Sequence, residues 1–75
     1  MPELPRVTAA EVRRALLRAG WYEHRGRGGH LILKHREGPG RVTLAMHPGR
    51  ILLPKTLKRI SEQAGLSIEE FTELL

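Results

Sequence analysis

Two glycine-rich breaks, Gly26-Arg27-Gly28-Gly29 and Glu37-Gly38-Pro39-Gly40, cut the middle of the chain into three short stretches of strand-forming residues. Each break supplies residues able to take positive φ, and connections this tight leave consecutive strands only an antiparallel arrangement. The spacing predicts strands at about 21–25, 30–35 and 41–46, each break reading as a hairpin connection.

Helical signals flank this sheet. Thr8-Ala9-Ala10-Glu11 has the form of a capping box, and Val12, Leu16 and Ala19 recur at i, i+4 and i+7 with Ala15 beside them; Gly20 supplies the stop. After His47-Pro48-Gly49-Arg50 and Ile51-Leu52-Leu53, Pro54 fits the first turn of a second helix that buries Leu57, Ile60 and Ala64 and closes at Gly65. Ser67-Ile68-Glu69-Glu70 is a second capping box, opening a short final helix with Phe71, Leu74 and Leu75 on its apolar side. The expected fold is therefore α+β: helices on one face of a three-stranded antiparallel sheet, the other face left for solvent or a ligand. The same α-β-β-β-α order occurs in double-stranded RNA-binding domains.

Seventy-five residues make one domain, expected to span 1–75, and a chain this short buries only about 60% of the surface its unfolded form exposes. With three aromatics, Trp21, Tyr22 and Phe71, the core must be mainly aliphatic. Cysteine is absent, which removes disulfides and thiolate sites and fits the reducing cytoplasm. No apolar stretch reaches signal-peptide or membrane-spanning length, so a soluble chain without membrane contact is expected. The net charge is +5, but residues 61–75 carry four acids and no base, so all 13 bases lie in residues 1–60. Such a block points to a polyanion, most often nucleic acid, or else to an ordinary solvated surface.

His24, His30, His35 and His47 are the residue types suited to general base work near neutral pH. His30 stands at the mouth of the glycine loop, where Arg25 or Arg27 can neutralise a phosphate. On its strand it shares a face with Ile32 and Lys34, and Leu31, Leu33 and His35 share the other. If the substrate is RNA, its imidazole can take the 2′-OH proton so that the oxygen attacks the adjacent phosphorus, with Arg27 and Lys34 stabilising the charge that develops. The alternative is a half-exposed strand residue without chemistry. His24 and His47 are both candidates for the acid.

Metal-ligand spacings such as HxH or HExxH do not occur, Asp and Cys are absent, and there is no Walker-type or GxGxxG loop, so neither a metal nor another cofactor is expected. Lys55, Lys58 and Arg59, spaced i, i+3 and i+4, form a cationic patch suited to phosphate contacts, or a plain solvated face. Trp21 and Tyr22 can stack on bases, although so small a core favours burying one of them.

The whole chain resembles the HicA-type toxins, the small ribonuclease members of HicAB toxin–antitoxin systems. The resemblance rests on Gly20-Trp21, on Gly28-Gly29-His30-Leu31-Ile32, on Val42-Thr43-Leu44-Ala45-Met46-His47, and on the run from Thr56-Leu57-Lys58-Arg59-Ile60 to Glu69-Glu70-Phe71. It implies metal-independent cleavage of mRNA, an essential histidine in a Gly-Ser-His motif matched by Gly28, Gly29 and His30, and a HicB-type antitoxin that covers that histidine. Gly29 stands where the family usually has serine. Joined to the charge pattern, this gives the leading reading: a ribonuclease in which Arg25, Arg27, Gly28, Gly29, Lys34, Lys55, Lys58 and Arg59 hold RNA around a catalytic His30. A non-catalytic RNA-binding module and a protein-interaction domain are the competing readings.

Overall fold

The computed structural model describes residues 4–75; the first three residues of the domain read from the sequence lie outside the described part. The Thr8 capping box forms as expected: the Thr8 hydroxyl accepts from the Glu11 N–H at 3.3 Å, and the Thr8 N–H donates to Glu11 Oε1 at 3.1 Å. It starts α1 (Ala9–Arg18), whose Ala9, Val12, Ala15 and Leu16 are buried.

The three strands are β1 (Trp21–Arg27), β2 (His30–His35) and β3 (Arg41–Ala45), in the order β1-β2-β3 and antiparallel throughout. The first connection is tighter than the sequence suggests. Gly26 and Arg27 belong to β1, with Arg27 paired to His30, so Gly28 and Gly29 alone make the turn at φ 57° and 81°. Two consecutive positive φ values are the type I′ geometry, whose twist suits a two-residue hairpin. At the other boundary β3 ends at Ala45, although the Met46 N–H still donates to the Gly29 carbonyl at 2.6 Å.

Leu33, Val42 and Leu44 on the inner face of the sheet join Val12, Leu16, Leu57, Ile60 and Phe71 in one buried cluster. The second helix, α2 (Pro54–Ala64), begins with its proline in the first turn and ends at Gly65 with φ 71°. Its Gln63 side chain accepts from the Thr43 N–H at 3.4 Å, occupying a donor on the free edge of β3. The last helix, α3 (Ile68–Leu74), has its own capping box, and the hydrogen bonds from Ser67 hold the Glu70 carboxyl below its ordinary range. Arg18 donates to the Leu74 carbonyl at 2.6 Å, tying the end of α1 to the end of α3.

His35 is part of this frame. Its Nε2 meets the Ala19 carbonyl at 2.9 Å, its Nδ1 accepts from the Glu37 N–H at 3.1 Å, and its ring packs edge-on to Trp21 with centroids 5.1 Å apart. Those partners call for the neutral tautomer with hydrogen on Nε2, leaving no free ring nitrogen. Gly20 makes room for it: its φ is 97°, and a Cβ there would stand 2.9 Å from His35 Nε2. Gly20→Ala is therefore expected to cost about 1–2 kcal/mol from the backbone alone, lowering the melting temperature by roughly 5–15 °C in a domain this small. An unchanged melting curve would show that neither the positive φ at Gly20 nor the close approach to His35 constrains this position.

Candidate active site

His30 is the first residue of β2, directly after the Gly28-Gly29 turn, with Arg27 opposite it on β1 and Ala45 opposite it on β3. Directly paired residues share a face. Since Leu33, Val42 and Leu44 are buried under the helices, the pairs His30–Ala45, Ile32–Thr43 and Lys34–Arg41 lie on the open face. His30 is exposed there, and among the described residues neither of its ring nitrogens makes a hydrogen bond. The contrast with His35 is plain: that ring is committed to the frame, and the His30 ring has no hydrogen-bond partner among the described residues.

A β-bulge decides which cations join His30. Counted by strict alternation from buried Trp21, Glu23, Arg25 and Arg27 would all point to the core face. The register shifts between Glu23 and Arg25, leaving His24 as the extra residue. Glu23 stays on the inner side, where it pairs with Leu33 and binds Arg13 of α1; that hydrogen bond lowers its carboxyl pKa. Beyond the bulge the parity is reversed. Arg25 opposes Ile32 and Arg27 opposes His30, so both arginines emerge on the open face beside the histidine.

The glycines of the turn keep this end of the sheet bare. A Cβ at either Gly28 or Gly29 would meet nothing within 4 Å, so there is open space around the turn for an incoming chain. Lys34 shares the face but lies four residues along β2 from His30, about 13 Å away at the usual strand rise. That spacing sets Lys34 apart from the Arg27–His30 end of the open face.

Lys55, Lys58 and Arg59 form a different surface. All three are exposed on the side of α2 opposite its buried Leu57, Ile60 and Ser61, across the helix layer from the His30 face. The structure gathers Arg25, Arg27, Gly28, Gly29, His30 and Lys34 into one region and leaves the α2 cations outside it. It adds Tyr22 and Arg41, which flank Lys34 on either side. Arg41 was legible as a basic strand residue, but only the β2–β3 register puts it here. Trp21 is buried and Tyr22 is 38% exposed, so the aromatic available for stacking is the tyrosine.

Two cavities open near the end of β3, and His30 lines neither. One is lined by Thr8, Ala9, Met46 and His47, among others, and another includes Ala45, His47, Arg50 and Thr56. The histidine itself sits on an open, cationic sheet, a surface that admits a polymer rather than a closed pocket for a small molecule. Among the described residues, no group of three or more His, Cys, Asp or Glu side chains is arranged to hold a metal ion, and no helix is long and apolar enough to cross a membrane.

The family model for the HicA toxin of bacterial toxin–antitoxin matches residues 9–66, from the first residue of α1 to just past α2. The chain belongs to the HicA toxin family. Among curated proteins none matches. The HicA match takes in the bulge, the glycine turn, His30 and every cation discussed above, and it stops before α3. The chain is thus a toxin of the toxin–antitoxin type, and the HicA helix–sheet–helix unit is what carries the open basic face.

Proposed function

We propose that this HicA-family toxin is a metal-independent endoribonuclease that cleaves mRNA, with His30 as general base, and that a HicB-type antitoxin neutralises it. The observation that carries this reading is the exposed imidazole of His30, which has no hydrogen-bond partner among the described residues and is flanked on the open sheet by Arg27 and Arg25. A neutral ring there takes the proton of a ribose 2′-OH, and the oxygen attacks the adjacent phosphorus. Arg27, directly opposite His30, stabilises charge building on the phosphoryl oxygens, while Arg25 and Lys34 hold neighbouring phosphates.

An antitoxin that blocks such a site must cover an exposed, positively charged sheet; an acidic or neutral surface laid on the open face does so. The cytoplasm, where mRNA is available, is the compartment this activity requires.

The test is incubation of RNA with the purified chain in the presence of a chelator, with His30→Ala alongside. Cleavage by the unmodified protein alone supports the reading. RNA that is bound but stays intact would make the chain a non-catalytic RNA-binding module instead. Phosphate contact by Arg27 has its own signature: Arg27→Ala is expected to weaken RNA binding at low salt and to reduce the slope of log K against log salt by about 1. An unaltered slope would remove Arg27 from the RNA interface.

A further inference from the structure

We infer that His47 is the general acid of the proposed cleavage, delivering a proton to the 5′ oxygen as it leaves phosphorus. The inference rests on the ribonuclease reading and completes its chemistry. In-line displacement puts the attacking 2′ oxygen and the departing 5′ oxygen at opposite ends of one axis through phosphorus. With a hydrogen bond at each end, base and acid must stand roughly 7–9 Å apart.

The other histidines are poorly placed for the second position. His35 lies on the inner face with both ring nitrogens occupied. His24 is the bulge residue of β1, between the pairs that oppose Leu33 and Ile32, which sets it some three residues along the strand from the Arg27–His30 pair.

His47 is on the other flank of His30. Ala45 opposes His30, and the ladder continues one step further through the bond from the Met46 N–H to the Gly29 carbonyl. Pro48 follows His47, and a residue before proline is held to extended backbone, which keeps the chain on the strand direction through His47. His47 therefore leaves the sheet at the position diagonal to His30, and such diagonal neighbours stand about 7–8 Å apart. The small Ala45 leaves the space between them open, and Ala45 and His47 line the same cavity. The turn that follows, closed by the Arg50 N–H on the His47 carbonyl at 3.2 Å with Gly49 at φ 74°, brings Arg50 to that cavity as well.

The step balances. The 2′-O–H bond breaks and its proton goes to His30; the 2′-O–P bond forms; the P–O5′ bond breaks, and the leaving oxygen takes the proton of His47. The products are a 2′,3′-cyclic phosphate and a 5′-hydroxyl.

Two substrates separate the roles: ordinary RNA, and the same RNA with a 5′-bridging sulfur at the cut site, whose thiolate leaves without a proton. His47→Ala is expected to cleave ordinary RNA about 10²–10⁴-fold more slowly than the unmodified protein. On the sulfur substrate it should recover to within about tenfold of the unmodified protein, whereas His30→Ala stays inactive on both. Equal loss on the two substrates, or none on ordinary RNA, overturns the assignment of His47. Full activity of His30→Ala removes His30 as the base and with it the pairing with His47, whereas no cleavage of either substrate by the unmodified protein overturns the ribonuclease reading itself. Recovery on the sulfur substrate also shows that the variant is folded.

Discussion

Replacing His30 with alanine is expected to lower RNA cleavage by about 10²–10⁴-fold, the usual contribution of a positioned general base, and to abolish growth arrest when the toxin is expressed. The same substitution should leave the melting temperature nearly unchanged, because an exposed side chain without hydrogen bonds contributes within about 0.5 kcal/mol to stability. His30 is exposed at the start of β2, and its backbone pairing with Arg27 and Ala45 does not depend on the ring. Loss of activity with an intact fold separates chemistry from structure. Retained cleavage would leave His30 a surface residue and move the active site elsewhere.

The largest effect on stability should come from Leu33→Ala. Leu33 is fully buried in the central strand, opposite Glu23 on one side and Val42 on the other, within the cluster that joins the sheet to all three helices. Truncating a buried leucine costs about 2–5 kcal/mol. A domain of this length has about 4–11 kcal/mol of stability in total, so this one change removes a large share of it. Urea denaturation should show the midpoint falling accordingly, and growth arrest should weaken through loss of folded protein. A midpoint displaced by less than about 1 kcal/mol in free energy would mean that the core closes around the missing methyls.

Much of this fold is legible in the sequence because its signals are local. Thr8 with Glu11 and Ser67 with Glu70 mark two helix starts, and Gly20 and Gly65 mark two ends, since caps and positive-φ positions depend on a few neighbouring residues. The faces of β2 are legible too, because its pairing with β3 runs without a break from His30 to Lys34. The face of β1 is not. One inserted residue, His24, reverses the parity, and nothing in Trp21–Arg27 marks the bulge, so the position of Arg25 and Arg27 beside His30 emerges only from the pairing with β2. The extension of β1 through Gly26 and Arg27 escapes a sequence reading for a related reason: glycine-rich composition signals a break, while the I′ turn consumes only Gly28 and Gly29.

The candidate site divides the same way. His30 follows from the glycines before it and from the family resemblance. The structural duty of His35 depends on Ala19, Trp21 and Glu37, partners brought together by tertiary packing. The α2 cations form a patch by helical spacing alone, but spacing does not say that this patch lies across the helix layer from His30.

The central claim is that His30 activates a ribose 2′ oxygen on the open sheet. It is tested most directly by giving the full chain, in chelator, an RNA and its 2′-O-methyl counterpart of identical sequence. Only the RNA is expected to be cut, to fragments ending in 2′,3′-cyclic phosphate and beginning with 5′-hydroxyl. Cleavage of the methylated strand, or fragments carrying 5′-phosphate, would contradict it.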